Sequence, residues 1–304
     1  MTARRCLISV SVCAVVSILA GPAFADCSTL PSWQSLRDQL QKVVALGPTV
    51  NGGLGFNMWG TLVDTDGTVC AVAFSGSKYG NQWLGSRVIS AQKANTANGF
   101  SLGLNDTPST SLFGTKGLAL STANLFTAVQ PGGSLYGLQH SNPVETDVAY
   151  GNGPGNSGPS NASNFGTTRD PMVAQRVGGV NVFGGGLALY IGGNKVGALG
   201  VSGDTSCTDH MVAWRVRNGL KLDSFNGVPG VSGDQQRPDN IVFDIHPNGF
   251  QATPPDTPQG VQSDSDGGTG QNPTGNGGVG QSLSGWGHPK CGNNPNPALL
   301  PAVQ

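Results

Sequence analysis

The sequence predicts an α+β fold, a central antiparallel sheet flanked by helices, with a long loop insertion and an irregular C-terminal tail. Three observations lead there. Paired β-prone runs occur twice, each joined by a tight turn rich in Gly, Asp or Asn, and hairpins build antiparallel sheets. Amphipathic helical patterns flank both hairpins, and such helices must cover the faces of a sheet. Gly numbers 48 and Pro 20 while only 11% of residues are charged, a composition suited to many turns and long loops.

In chain order, residues 1–25 read as a cleavable signal peptide. Arg4 and Arg5 open it, Cys6–Ala20 is an apolar stretch, Gly21-Pro22 breaks that stretch, and Ala23-Phe24-Ala25 supplies a small-x-small cleavage pattern. The stretch is too short to span a bilayer stably. The expected product starts near Asp26, after cleavage at Ala25, in the periplasm or outside the cell. Arg4-Arg5 also admits the twin-arginine route, which carries folded cargo.

A first helix is expected over 32–46, capped by Ser32, with Trp33, Leu36, Leu40, Val43 and Val44 at helical spacing and Gly47-Pro48 as its stop. Phe56–Val63 and Thr68–Phe74 then pair across Asp64-Thr65-Asp66-Gly67. A second helix covers about 84–102, and its Ala91, Ala94 and Ala97 form a small-residue stripe that permits close approach to a sheet. Residues 118–129 read as a shorter helix. The stretch 105–179 reads as a surface insertion, with low complexity at 151–164. A second hairpin spans 181–201 and turns at Gly192-Gly193-Asn194, and a final helix covers about 206–220. Gly184–Gly186 opens a strand, so it is no nucleotide-binding turn. The organisation expected is a signal peptide 1–25, an α/β domain 26–222 and a Gly/Pro/Asn-rich extension 223–304. That extension carries a strand-like run at Ile241–Ile245, a disordered stretch at 251–281 and a patch at Trp286–Cys291. Helix, hairpin, helix, insertion, hairpin, helix makes a profilin-like sandwich.

Loss of Arg4 and Arg5 takes Lys+Arg from 16 to 14 against 17 Asp+Glu, a formal charge of −3. That balance offers no footprint for nucleic acid or an anionic membrane surface. Cys6 and Cys13 leave with the signal peptide, and Cys27, Cys70, Cys207 and Cys291 remain. An even number in an exported chain reads as two disulfides, and the wide cysteine spacing fits no zinc motif. Three pairings are possible and the sequence does not choose. Cys27–Cys70 with Cys207–Cys291 is the expectation, since each ties a terminal segment to the body.

The run Ala91-Gln92-Lys93-Ala94-Asn95-Thr96-Ala97-Asn98-Gly99-Phe100 is similar to the AxxKAxTAxxF signature of the GlcG/HbpS-like family of small heme-binding and related proteins. Gly184-Gly185-Gly186-Leu187, then Lys195–Gly203 and Asp209, resembles that family's GGxP…VGAIGVSGG…D pattern in order and spacing. With the first hairpin, the resemblance covers about 50–104 and 180–220. It implies a profilin-like α/β fold and assembly into a homo-oligomer. It also implies heme held on a helix-lined surface, linked in that branch to redox sensing and iron sequestration. Gly186-Leu187 stands where the family has Pro, and the insertion and tail exceed the family core.

Neutral imidazole is the commonest axial ligand of heme iron. His210, next to Asp209, and His140, beside Leu135, Tyr136 and Leu138, are the expected iron ligands, each weighed against a purely structural or surface role. His246 and His288 sit in Pro-flanked loops and carry less weight. Lys93 and Thr96 lie three apart on one helix face. Under the resemblance Lys93 would pair with a propionate, Thr96 would bond near the iron, and Arg87 would add a second propionate contact. Their bland alternatives are bonds to the insertion and, for Arg87, a solvated helix face. No enzymatic constellation stands out: Ser202 lacks a nucleophile elbow, Asp64 and Asp66 form a turn, and Asp204 with Asp209 does not define a metal site. The function expected is an exported protein that binds or sequesters heme, non-catalytic or incidentally redox-active. The alternatives are a disulfide-stabilised self-assembling module, or a binder of a corrinoid or small organic acid.

Overall fold

The computed structural model describes residues 27–106, 116–151, 161–245, 282 and 284–304. The signal peptide, His246 and the 251–281 stretch lie outside the described residues.

Four strands form one antiparallel sheet in the order β2-β1-β4-β3. They are β1 (Trp59–Val63), β2 (Val69–Phe74), β3 (Gly186–Ile191) and β4 (Asn194–Ser202). The helices are α1 (Trp33–Val44), α2 (Pro48–Asn51), α3 (Gly85–Phe100), α4 (Leu138–Ser141), α5 (Thr146–Ala149) and α6 (Ser206–Gly219). Each hairpin closes where its turn residues predict. In the first, Gly67 N donates to Asp64 O at 2.9 Å and Thr68 N to Asp66 Oδ1 at 2.8 Å. β1 then pairs with β4, Gly60 opposite Val201 and Leu62 opposite Leu199, which joins the two hairpins into one sheet. This is the α+β architecture the sequence predicts.

Strand residues alternate between two buried faces. Leu62, Ala73, Leu187, Leu189, Leu199 and Val201 meet Leu36 and Leu40 of α1 and Met211 and Trp214 of α6. Trp59, Val63, Val72, Phe74 and Ala198 meet Val88, Ala91, Ala94 and Ala97 of α3 on the other side. The alanine stripe lies almost on the sheet: a Cβ added at Gly200 would sit 1.9 Å from Ser90 O and 2.6 Å from Ala94 N. The expected cap of α1 is in place, since the Ser32 side chain accepts from Ser35 N, and the structure adds Thr205 as the cap of α6, accepting from Thr208 N.

Two disulfides, Cys27–Cys70 and Cys207–Cys291, carry the expected pairing. The first ties the segment before α1 to β2, and the second ties the first turn of α6 to the C-terminal segment.

Three expectations change. Residues 118–129 form two short 3-10 turns, Thr122–Leu125 and Thr127–Val129, instead of one α-helix. Tertiary bonds hold that backbone: Thr122 Oγ1 donates to Phe183 O, and Asn124 Nδ2 to Asn240 O at 2.9 Å. The insertion is more than a surface excursion. Its Val148, Ala149, Met172 and Val177 are buried on the α3 side of the sheet, where Arg87 clasps Asp170 in a two-pronged ion pair. Ile241–Ile245 is no strand, although Ile241, Val242 and Phe243 are buried. Val242 O instead accepts from His288 N at 2.7 Å, and Ile245 makes an isolated bridge with Ser282.

Candidate functional site

The segments that resemble the family signature converge where β4 hands over to α6. Lys93 of α3 reaches across the sheet to donate to Asp209 Oδ2 at 2.7 Å and Val201 O at 3.2 Å. The other Asp209 oxygen accepts from Gly203 N at 3.0 Å and Asp204 N at 2.9 Å, fixing the turn into α6. Burial pushes the Asp209 carboxyl up to about 6, against the pull of the Lys93 charge. Gly185, with φ +119°, passes so close that a Cβ there would lie 3.1 Å from Lys93 Nζ and 2.3 Å from Val201 O. Asp204 accepts from the backbone N–H groups of Leu54 and Phe56, at 2.9 and 3.0 Å, and so holds the loop before β1. Both carboxylates that sequence considered for a cation are thus spent on backbone donors and Lys93.

Arg87 and Lys93, expected to meet propionates, are each about 2% exposed and already paired with carboxylates. The solvated-face alternative for Arg87 fails too. Its guanidinium also donates to Ala149 O at 3.0 Å and lies 4.0 Å over the Phe165 ring, so it anchors the insertion. Thr96, expected near the iron, donates to Gln92 O at 2.7 Å and accepts from Asn181 N at 3.0 Å. These three side chains hold the fold together, because a buried cation or hydroxyl must find partners inside.

The histidines separate sharply. His210 is fully buried beside Trp214, and Ile241 N donates to its Nε2 at 3.2 Å. The same Nε2 lies 3.2 Å from Asn240 Oδ1, which itself accepts from Ile241 N at 2.9 Å, so the ring is held between a donor and an acceptor, and Nδ1 has no partner among the described residues. Burial holds its pKa down to about 3. His140 is exposed on α4, the one exposed histidine among the described residues. Tyr136, 66% exposed, precedes it, and Leu135 and Leu138 seat the segment on Leu120, Leu125, Val129 and Val182.

His288 is the residue that sequence reasoning undervalued. It is buried between Phe126 and Phe243, and its Nδ1 lies 2.8 Å from Pro289 O, which makes Nδ1 the donor. Its Nε2 lone pair is buried with no partner among the described residues. The sulfurs of Cys207 and Cys291, joined in their disulfide, and the imidazole of His288 lie within 4.8 Å of one another. The signal in the sequence is the spacing His288-x-x-Cys291, which cysteine spacing alone does not reveal.

A second exposed feature is apolar. Leu54, Phe56, Trp83 and Leu84 are between 40% and 59% exposed, and the Phe56 and Trp83 rings meet edge to face at 5.5 Å. No helix among the described residues is long and apolar enough to cross a membrane.

A family model described as "Haem degrading protein HbpS-like" matches residues 54–217. Two solved structures are similar, each with 21% identity and a TM-score of 0.36 over 62% of this chain. One is protein ORFY of Klebsiella pneumoniae, a DUF336 protein, of which 90% is covered; the other is the PduOC:heme complex, of which 94% is covered. Comparison with curated protein sequences finds no match.

Proposed function

The chain belongs to the HbpS-like family, and on that premise we propose that it is an exported heme-binding protein whose axial ligand is His140. One observation carries the choice of ligand: His140 is exposed beside an exposed Tyr136, whereas His210 is sealed in the core with its Nε2 held against Asn240 and Ile241. Among the described histidines an imidazole reaches iron without rearrangement at His140 alone, and the exposed Tyr136 ring with the half-buried Leu135 and Leu138 offers the apolar surface a porphyrin needs. Bound there, heme would supply a redox-active iron, and the chain's part is to hold and sequester it. Two disulfides support the extracytoplasmic placement. The exposed group of Leu54, Phe56, Trp83 and Leu84 is the surface we assign to homo-oligomer formation.

The test is a heme titration of the mature chain, read at the Soret band. His140→Ala is expected to weaken binding about tenfold or more while leaving the far-UV spectrum unchanged. His210→Gln is expected to leave heme affinity within about twofold. A featureless titration sinks heme binding, and a Soret band lost with His210→Gln in a folded chain sinks the ligand assignment.

A further inference from the structure

We propose that Cys207, Cys291 and His288 form a redox-gated site for a thiophilic divalent cation, closed as a disulfide and opened by a thiol reductant. The three residues are brought together from two places: the first turn of α6, which carries Cys207, and the segment His288–Cys291 packed on Ile241–Phe243. Their sulfur and nitrogen atoms all lie within 4.8 Å of one another, close enough for one ion to touch all three once the disulfide is reduced and the two sulfurs separate.

His288 supplies the second, independent observation. Its ring is about 1% exposed, and its Nδ1–H points at the Pro289 carbonyl. A backbone carbonyl on Nδ1 fixes the tautomer that presents Nε2 as a ligand, the usual outer-shell arrangement of metal-binding histidines. Nε2 has no partner among the described residues. An unmet buried acceptor carries a cost that a cation would relieve.

The sulfurs are prepared as well. Cys207 N donates toward Cys291 Sγ at 3.3 Å, and Ser206 Oγ lies 3.5 Å from the same sulfur. Both donors sit in the first turn of the 14-residue α6, where helix N–H groups favour a thiolate. Reduction is balanced by two thiols of the reductant. They become one disulfide and deliver two electrons and two protons to the Cys207–Cys291 bond. A metal ion then displaces both thiol protons and takes two thiolates and one neutral imidazole. That donor set leaves a fourth tetrahedral position open, the pattern of a zinc site that can still exchange a ligand.

The experiment is a Zn2+ titration of the full mature chain, oxidised and after anaerobic reduction, with chelator competition for affinity and Co2+ absorbance for sulfur ligation. The reduced chain should take up one Zn2+ and show a thiolate-to-Co2+ charge-transfer band, and the oxidised chain should do neither. His288→Ala and Cys291→Ser should each weaken Zn2+ binding about tenfold or more. Reduction also opens Cys27–Cys70, so the titration is repeated on a Cys27→Ser/Cys70→Ser chain, where Cys207–Cys291 remains the reducible bond of the mature protein. Uptake that is absent from the reduced chain, or equal in His288→Ala, overturns the site. So does a reduced chain that unfolds and is not restored by zinc.

Discussion

Arg87, Lys93 and Arg217 carry positive charge into the interior, and each meets a carboxylate there: Asp170, Asp209 and Asp239. Such pairs add little net stability over apolar packing, but they fix which segments sit together. Arg217 shows this best, binding Asp239 with two bonds of 2.6 and 2.9 Å while donating to Ala188 O at 3.1 Å, so it ties the tail to β3. Buried histidines give the residue scale its pH dependence. His210 is held down to about 3 by burial, against an ordinary 6.5. Below pH 6.5 the unfolded chain takes up a proton that the folded chain refuses. Stability is therefore full above about 6.5 and falls by about 1.4 kcal/mol per pH unit beneath it. His288, lowered to about 4 by burial, acts in the same direction. Asp209, raised from 3.8 to about 6, acts in the opposite one: the folded chain keeps a proton that the unfolded chain loses, so stability rises as pH falls from 6 towards 4. Two histidines against one carboxyl predict a urea midpoint that drops between pH 7 and pH 5, with a shallower drop in His210→Gln. A slope that His210→Gln leaves unchanged would remove His210 from this account.

At the scale of elements, the contact between α3 and β4 depends on missing side chains. Gly200 has no Cβ, and the space one would need is filled by Ser90 O and Ala94 N. Gly200→Ala must push helix and sheet apart, and overpacking of that kind costs about 1–3 kcal/mol. Thermal unfolding should register the loss as a fall in Tm of several degrees. An unshifted Tm would show that α3 is not seated as described. The same contact explains why Lys93 reaches Asp209: a helix set this close to the sheet puts a lysine stem within range of the β4–α6 turn.

For the whole molecule, two layers of helix enclose one sheet, and described parts of the insertion and tail complete the packing. Phe225, Val228 and Leu300 are buried, Trp214 Nε1 donates to Pro301 O at 2.9 Å, and Gln304 N to Asp223 O at 2.9 Å. Among the large apolar side chains left uncovered are Leu54, Phe56, Trp83 and Leu84. If that group mediates assembly, Phe56→Ser/Trp83→Ser should convert an oligomer into a folded monomer by light scattering. A wild-type monomer would speak against the assignment.

Read alone, the sequence determined both hairpins, three helices placed at 32–46, about 84–102 and about 206–220 and found at 33–44, 85–100 and 206–219, the cap residue Ser32, and the family. Each of these depends on local chemistry: a turn, a cap, a period, a signature. The tertiary structure alone decided that β1 pairs with β4 and that Arg87, Lys93 and Thr96 turn inward. It also sealed His210, left His140 open, and brought the His288–Cys291 segment to Cys207. Burial and partner choice depend on residues far apart in the chain, Lys93 with Asp209 or Cys207 with His288, and no local pattern encodes a distance between them. Even 118–129, helical by its own periodicity, was broken into two turns by bonds to Phe183 and Asn240. An α+β fold was therefore legible from local pattern, while the sites on it came from long-range packing.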